Sequence, residues 1–372
     1  MKIALVHDYL IDFGGAERVL LALHEIYPEA VVFTSIVDKN KMGESWKYFE
    51  KLKIKTSWFN KIPFASKLIS PLRFLLPTIW GSFDLSSYDL IIDSSAWAIT
   101  RGFKSRKNQI EICYCHTPPR YLYGFDTSRD WNKLWFGKLV KIYAAIINRF
   151  IKIYDFNSAQ KVDYFVANSE NVKKRIEKIY HRDSVVIYPP VELLKKQEGI
   201  MNNEKYFLTG GRLVAAKNFD LIIKACKKEN FKLKIFGTGI LENDLKSLGN
   251  EKVEFLGKVP EEKLFELYKN ASGFIVAQKD EDFGITTIEA QLAGCPVIAY
   301  HGGGYLESVV DGKTGIFFDE LNVESMIKAI IIFNKTKWNK KIIQDNAKKF
   351  SRERFKKEIL ELVRKVTNAR TS

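Results

Sequence analysis

Carboxylates gather in the stretch QKDEDFGITTIEAQLAGCPVIAYHGGGY, which covers residues 278–305. Asp280, Glu281 and Asp282 are consecutive, and Glu289 follows further along the same stretch. Carboxylate oxygens coordinate divalent cations, accept hydrogen bonds from hydroxyl groups, or cap the first turn of a helix. The stretch therefore leaves a metal site, a substrate site and a helix cap open.

A short helix is predicted within this stretch, over 287–293, because Gly294 and then Pro296 end the apolar run. Thr286 and Glu289 match the T-x-x-E capping box, in which both side chains bond backbone N–H groups. The capping box gives Glu289 a structural role that needs no ligand.

The acids before this helix also match a D-x-D pattern, at Asp280 and Asp282, which makes a divalent metal conceivable. The helix dipole favours acids at this place without any metal. The backbone N–H groups of Gly284 to Thr286 lie between Glu281 and Glu289. This order suits a phosphate on the amides, with carboxylates accepting hydrogen bonds from sugar hydroxyls on either side.

Two cations follow another candidate strand, in the segment TGGRLVAAKNFDLIIKA. Arg212 and Lys217 flank the loop and the first turn of the next predicted helix, where they could hold a diphosphate from opposite sides. The alternative is a pair of solvated surface cations, which is common in a lysine-rich chain.

A glycine pair precedes the first predicted helix, in DYLIDFGGAERVLLAL. Gly14 and Gly15 would let the backbone approach a ligand, and the N-terminus of a helix starting near Ala16 would attract phosphate. A plain turn explains the same pair.

One histidine stands at the end of a predicted strand, in CYCHTPPRYLY. His116 comes just before Pro118, so its side chain could face a ligand at the end of the strand. A hydrogen-bonded structural histidine is the alternative. His7 and His301 sit at similar strand ends and are competing candidates.

The elements that position these residues alternate between short apolar runs and longer helical patterns. Such alternation predicts an α/β protein with two Rossmann-like, doubly wound parallel-sheet domains facing a central cleft. Pro189 and Pro190 with a polar stretch after them mark the boundary. The predicted strands are 2–8, 30–36, 90–95, 110–116 and 164–169, then 205–211, 232–237, 253–257, 273–278 and 296–301, with 315–318 as a further candidate.

The positive charge is unevenly distributed. The formal net charge of the chain is +15, and residues 51–154 carry 17 basic against 6 acidic residues, or +11. Two stretches in this segment, 56–80 and 131–155, are both basic and aromatic. The second predicts a helix that lies either on an anionic lipid surface or with its apolar side in the core. The pattern lacks a motif that reads nucleic acid, so no nucleic-acid partner is expected.

The remaining sequence features exclude several classes. Four cysteines without CxxC spacing predict reduced thiols buried in strands, neither a zinc site nor disulfides. The N-terminal apolar run is too short for a signal peptide, and no apolar run of 18 residues occurs. We therefore expect a cytoplasmic protein, peripheral at most on the inner face of the cytoplasmic membrane.

Several of these motifs resemble one family. The segment EDFGITTIE, from Glu281 to Glu289, resembles the E-x7-E signature of the retaining GT-B glycosyltransferases of family 4. GGRLVAAKNFDLII and FGG resemble two further segments of that family. CYCHTPPRYLY is similar to a segment of a subgroup that contains bacterial mannosyltransferases of O-antigen and other polysaccharide assembly. The resemblance extends over nearly the whole chain in the same order.

The resemblance implies roles for the matching residues. His116 and Glu281 would be the catalytic residues beside the transferred sugar. Arg212 and Lys217 would stabilise the diphosphate as a leaving group, which leaves no need for a metal or other cofactor. Glu289 would hold the ribose hydroxyls. The implied donor-binding residues are Gly14, Gly15, Arg212, Lys217, Phe283, Gly284, Ile285, Thr286 and Glu289.

The implied reaction is transfer of a hexose with retention of anomeric configuration. The first candidate is α-mannose, transferred from GDP-mannose. The acceptor would be a glycan or a polyprenyl-diphosphate-linked oligosaccharide in cell-surface polysaccharide assembly. The alternatives are a glucosyl-type transferase that uses a UDP-sugar, a nucleotide-sugar epimerase, and a non-catalytic basic membrane-binding protein on the same fold. The expected domains are 1–188 for the acceptor, 189–204 as linker, 205–350 for the nucleotide sugar, and a helix in 351–372 that crosses back to the first domain.

Overall fold

The computed structural model describes residues 1–125, 137–192 and 205–369. Most of the linker and the start of the second basic stretch, 131–136, lie outside the described residues. The described chain divides into two compact units. Unit 1 contains residues 1–125, 137–190 and 352–369, and unit 2 contains 191–192 and 205–351.

Unit 1 is built on a parallel sheet of seven strands within the described residues, in the order β3-β2-β1-β4-β5-β6-β7. The strand order reverses between β1 and β4, which are adjacent, with His7 opposite Ser94 in their register. The strands are β1 Ile3–His7, β2 Val31–Thr34, β3 Ile54–Thr56, β4 Leu90–Ser95, β5 Ile110–Cys115, β6 Tyr164–Ala167 and β7 Ser184–Val186.

Helices cover this sheet, and the central strands are buried on both faces, as expected where helices pack on each side of a parallel sheet. Among them, α1 packs on the C-terminal helix α15. The α-helices of unit 1 are α1 Gly15–Ile26, α2 Lys39–Met42, α3 Ala65–Leu68, α4 Leu76–Gly81, α5 Arg120–Tyr123, α6 Gly137–Lys161, α7 Glu170–Tyr180 and α15 Arg352–Asn368. Short 3-10 helices cover Gly43–Tyr48, Trp58–Lys61 and Arg73–Leu75.

Unit 2 repeats the pattern with a six-stranded parallel sheet in the order β10-β9-β8-β11-β12-β13. Here the strand order reverses between β8 and β11. The strands are β8 Phe207–Gly210, β9 Leu233–Phe236, β10 Val253–Gly257, β11 Gly273–Val276, β12 Val297–Tyr300 and β13 Gly315–Phe318. The helices are α8 Phe219–Glu229, α9 Glu242–Leu248, α10 Glu261–Asn270, α11 Ile285–Leu292, α12 Tyr305–Ser308, α13 Val323–Lys335 and α14 Lys340–Lys348, with a 3-10 turn at Ala215–Lys217.

The predicted α/β class with two doubly wound parallel sheets is confirmed. Every predicted strand is present, with ends no more than about three residues from those expected, and 315–318 is a strand. Two edge strands, β3 and β7, were not predicted. Each has three residues and partly exposed side chains, so neither shows a continuous apolar run.

All four cysteines are free and buried, as predicted. The prediction that all four lie in strands is wrong in part. Cys113 and Cys115 lie in β5, but Cys226 lies in helix α8 and Cys295 in the turn before β12. None of the described helices is both long and apolar enough to cross a membrane.

Candidate functional site

The cations and carboxylates predicted in unit 2 follow the two strands at which the strand order reverses. Arg212 and Lys217 come after β8, and Glu281 comes after β11. Ligands of open α/β sheets bind beyond the carboxyl ends of strands at this reversal point. The fold therefore brings Lys217 and Glu281 together, although 64 residues separate them in sequence.

Glu281 is held by two side chains and by its own loop. Its Oε2 lies 3.2 Å from Lys217 Nζ and accepts a hydrogen bond from the Tyr305 hydroxyl at 3.3 Å. Burial, with the neighbouring Glu281 charge, raises the pKa of Tyr305 well above its ordinary value, so that hydroxyl remains a donor. A small pocket beside this pair is lined by Thr209, Gly210, Lys217, Gln278 and Tyr305.

Arg212 is exposed and differs from Lys217 in its contacts. Within the described part of the chain, no hydrogen bond or ion pair is formed by its guanidinium group. The group is therefore available to an anionic ligand, whereas Lys217 is already paired with Glu281.

The predicted capping box at Thr286 and Glu289 is wrong. Helix α11 begins at Ile285, and Gly284, with a φ of 87°, is the N-cap residue. Thr286 therefore lies inside the first turn, and Glu289 lies one turn further along, where neither side chain can cap the helix. The left-handed φ of Gly284 starts the helix two residues earlier than predicted, since a residue with a side chain rarely adopts it.

Glu289 is buried, with 4% of its surface exposed, and its Oε2 accepts a hydrogen bond from the Tyr268 hydroxyl at 3.3 Å. Since Glu289 does not cap the helix, the capping box does not explain why a carboxylate stands at this position.

The first turn of α11 presents N–H groups that have no partner within the helix, as at every helix start. These belong to Gly284, Ile285 and Thr286, which lie between Glu281 and Glu289 as predicted. Phe283 contributes only its backbone here, because its side chain is buried against Phe350 at 5.3 Å between ring centroids.

Glycines of the HGGGY segment hold the Glu281 loop in place. Gly304 donates its N–H to the Glu281 carbonyl at 2.9 Å. A Cβ at Gly304 would lie 2.4 Å from Phe283 Cα, and one at Gly303 would lie 2.7 Å from Glu281 N. Both glycines are therefore required by close backbone packing.

The D-x-D residues Asp280 and Asp282 do not form a metal-holding group with their neighbours. In the described ranges, no three His, Cys, Asp or Glu side chains are arranged to hold a metal ion. Lys217, which pairs with Glu281, and the start of α11 bring positive charge to this loop.

In unit 1 the predicted glycine pair follows β1, at the reversal point of that sheet. Gly15 is the first residue of α1 and Gly14 its N-cap, with its N–H bonded to Glu17 Oε2 at 2.7 Å. Burial would raise the pKa of Glu17, but bonding to His7 and the Gly14 N–H outweighs burial and lowers it. Glu17 is therefore ionised near pH 7, although its side chain is buried.

His116 directly follows β5 and is partly buried. Its Nε2 lies 2.8 Å from Ser94 Oγ, and that oxygen lies 3.0 Å from His7 Nδ1. Burial, with a smaller contribution from His7, lowers the pKa of His116 to about 3, so the ring is neutral near pH 7. His116 and His7, predicted as competitors, thus belong to one cluster.

His301, the other competitor, lies elsewhere, in unit 2. Its Nδ1 is 2.7 Å from Asp319 Oδ1, and both side chains are at least half exposed. This pairing is typical of a surface contact.

Sequence reasoning missed Ser94, Glu17, Tyr305 and Tyr268. Ser94 lies inside β4 and Tyr268 inside α10, so neither follows a strand, which was the criterion used. The one available signal was the position of Glu17 two residues after the glycine pair.

The comparisons with known proteins bear on both units. Residues 190–350 match the family model described as "Glycosyl transferases group 1". This segment of the chain is therefore similar to the group 1 glycosyltransferases, and it contains Arg212, Lys217, Glu281 and Glu289.

Several relatives are glycosyltransferases by name. A Methanocaldococcus jannaschii protein, the uncharacterized glycosyltransferase MJ1178, is 26% identical over 269 residues, 68% of this chain and 75% of that protein. The α-1,3/1,6-mannosyltransferase ALG2 of Dictyostelium discoideum is 27% identical over 375 residues, 85% of each. Anabaena HepE, solved with UDP-glucose, aligns with a TM-score of 0.70 at 18% identity over 98% of this chain and 100% of that one. The two units therefore have the GT-B fold.

An exposed apolar surface was also located on α6 of unit 1. Ile142, Ile146, Phe150 and Ile153 follow helical spacing and are each 56–65% exposed. We call these four residues the α6 face. The alternative that the apolar side lies in the core is wrong for them, because Ile151 and neighbouring residues make the core contacts instead.

Basic side chains border the α6 face. Lys138, Arg149 and Lys152 are exposed along it, while the side chains of Leu139 and Lys141 lie outside the described set. The first basic stretch reaches the same helix, because Arg73 Nε donates to Asn148 Oδ1 at 2.9 Å. The two basic, aromatic stretches thus contact one another.

Proposed function

We propose that the protein is a retaining glycosyltransferase that moves a hexose from a nucleotide sugar to a glycan or lipid-linked acceptor. The observation that carries the proposal is the arrangement in unit 2, where Lys217, Glu281 and the start of α11 meet at the reversal point of the sheet. This combination offers positive groups to a diphosphate and carboxylates to sugar hydroxyls.

Each residue has a distinct task in this proposal. Arg212 and Lys217 bind the diphosphate and stabilise the negative charge that develops on it as the sugar leaves. Lys217 exchanges part of its contact with Glu281 for the phosphate oxygens. Glu281 accepts hydrogen bonds from hydroxyls of the transferred sugar, and Glu289 accepts those of the ribose. The N–H groups of α11, together with Gly14 and Gly15, contact phosphate or sugar.

His116 is the contribution of unit 1 to the reaction in this proposal. A ring that is neutral near pH 7 can accept a hydrogen bond from a sugar hydroxyl without adding positive charge next to an oxocarbenium-like centre. Unit 1 also binds the acceptor, which we propose to be a polyprenyl-diphosphate-linked oligosaccharide of cell-surface polysaccharide assembly. We draw retention of configuration from the family resemblance.

The proposed donor is GDP-mannose. The support comes from ALG2, a mannosyltransferase by name, and from the CYCHTPPRYLY segment. A UDP-sugar is the second candidate, favoured by the fold shared with HepE, which was solved with UDP-glucose. No divalent metal takes part in the proposal, because Arg212, Lys217 and the start of α11 supply the positive charge that a diphosphate needs.

A donor panel in buffer containing EDTA tests this assignment. We expect calorimetry to detect GDP-mannose and not UDP-glucose or UDP-N-acetylglucosamine, and mass spectrometry to detect slow release of free mannose or product. Preference for a UDP-sugar would move the assignment to the second candidate. Loss of binding in EDTA that manganese restores would revive the D-x-D pair, and binding of no donor would favour a non-catalytic protein.

We further propose that the α6 face docks on an anionic lipid surface. Four exposed apolar side chains beside three exposed cations match the chemistry of a lipid interface, where each basic residue near the surface adds about 1 kcal/mol. A membrane-bound acceptor would be concentrated at such a surface.

Vesicle sedimentation tests the docking. The protein is expected to bind phosphatidylglycerol-containing vesicles at low salt and phosphatidylcholine vesicles weakly, and Phe150→Glu should reduce binding to the former at least about tenfold. Ile332→Glu, at a similarly exposed apolar position of unit 2, is the matched control and should bind as wild type. Equal binding to both vesicle types, or an equal loss in both variants, would refute the docking face.

A further inference from the structure

Four polar side chains of unit 1 form a continuous line of hydrogen bonds that ends at His116. Glu17 Oε1 lies 3.4 Å from His7 Nε2, His7 Nδ1 lies 3.0 Å from Ser94 Oγ, and Ser94 Oγ lies 2.8 Å from His116 Nε2. Glu17, His7 and Ser94 are buried. The proposed function uses only His116, so the other three have no role in it so far.

The fold fixes the positions of these side chains. His7 and Ser94 are opposite one another on the paired strands β1 and β4, so their side chains leave the same face of the sheet. His116 continues directly from β5, the next strand. Glu17 stands in the first turn of α1 and is tied to Gly14 by the N–H bond at 2.7 Å.

When the His7 ring is neutral, the hydrogen bonds in this line run in one direction. Glu17 is ionised and accepts only, so His7 must donate to it from Nε2. A neutral imidazole carries one proton, which leaves His7 Nδ1 as an acceptor for the Ser94 hydroxyl. Ser94 has a single hydrogen, already directed at His7, so its oxygen must accept from His116 Nε2–H.

We propose that Glu17, His7 and Ser94 are positioning residues that fix His116 as the Nε2–H tautomer, with the lone pair of Nδ1 directed to substrate. Nδ1 makes no hydrogen bond within the described residues, so this lone pair is available. The ligand chemistry that fits it is a hydroxyl donor, such as a sugar hydroxyl. This last step rests on the proposed function, whereas the tautomer assignment does not.

The Glu17→Gln variant can reverse the donor and acceptor roles along this line of hydrogen bonds while the size of the side chain stays the same. The new side-chain N–H₂ would donate to His7 Nε2, while the remaining side-chain oxygen keeps the bond from the Gly14 N–H. His7 Nδ1–H would then donate to Ser94, and Ser94 would donate to His116 Nε2. The proton of His116 would therefore move to Nδ1, and the ring would present a donor in place of an acceptor.

Long-range ¹H–¹⁵N correlation spectra of the five imidazole rings in the full-length protein, without any nucleotide sugar, measure both states directly. The His116→Asn variant assigns the His116 signals. We expect the Nε2–H pattern in the wild type and a shift towards Nδ1–H in Glu17→Gln. Glu29→Gln, at an exposed glutamate of unit 1, is the control and should leave the wild-type pattern.

Two results would overturn the proposal: an Nδ1–H or charged His116 in the wild type near pH 7, or an unchanged Nε2–H pattern in a folded Glu17→Gln protein. If Glu17→Gln does not fold, Ser94→Ala replaces it, and the His116 ring should then show a mixture of both tautomers. A single unchanged tautomer there would also overturn the proposal. Because no donor is present, these results are independent of whether the protein transfers a sugar.

Discussion

Arg212→Ala and Glu281→Gln are each expected to lower kcat/KM for sugar transfer by at least about 10²-fold while the protein remains folded. Arg212→Ala removes the exposed guanidinium proposed to bind the leaving diphosphate. Glu281→Gln keeps the size of the side chain, but it removes the charge opposite Lys217 and turns one acceptor into an N–H₂ donor. Initial rates at several donor concentrations, with thermal unfolding as the check of folding, measure both effects.

The controls for these variants come from the surface of the same unit. Lys224→Ala removes a positive charge, as Arg212→Ala does, and Glu324→Gln removes a negative charge, as Glu281→Gln does. Both residues belong to exposed ion pairs of unit 2, so both controls should retain wild-type rates. Near-wild-type turnover in either Arg212→Ala or Glu281→Gln would refute the donor-site assignment. An equal loss in the controls would point instead to the overall charge of the protein.

Asp155→Asn is expected to destabilise unit 1 by about 3–5 kcal/mol. Asp155 and Arg101 form an ion pair in the interior of unit 1, with neither side chain exposed. The hydroxyls of Tyr123 and Tyr180 donate to Asp155 Oδ2 at 2.7 and 2.8 Å, so the carboxylate serves three donors at once. Burial alone would lower the pKa of Arg101, but the Asp155 charge outweighs burial and raises it well above its ordinary value.

The large effect follows because the remaining guanidinium would be buried without a counter-ion. Urea unfolding followed by far-ultraviolet circular dichroism measures the loss. Glu29→Gln breaks the pair between Glu29 and Lys53, which are 89% and 66% exposed, and should leave the free energy of unfolding close to that of the wild type. If Asp155→Asn were as stable as this control, the buried pair would contribute little.

The central strands could be predicted from sequence because they are buried on both faces and therefore consist of continuous apolar runs. This holds for β4 and β5, in which every residue is buried. The edge strands β3 and β7 have one sheet neighbour and partly exposed residues, so their sequences carry no such signal.

The site residues could be predicted where a charged side chain directly follows a predicted strand. Arg212, Lys217 and Glu281 all follow strands, which is a local property of sequence. The start of α11 was placed two residues late because the pattern could not show that Gly284 adopts a positive φ. Ser94 and Glu17 acquire their role only through pairing of β1 with β4 and the packing of α1, which sequence spacing does not encode.

Helix α15 has a consequence for the order in which the protein folds during synthesis. It contributes Phe355, Ile359, Val363 and Val366 to the same hydrophobic cluster as Leu5 and Leu20. All residues of unit 2 are translated between these two parts of the cluster. On the ribosome, unit 2 can therefore complete its core first, while unit 1 keeps an open apolar surface until α15 leaves the exit tunnel. A chain without α15 would therefore leave part of the unit 1 cluster uncovered, whereas unit 2 would keep all of its own core residues.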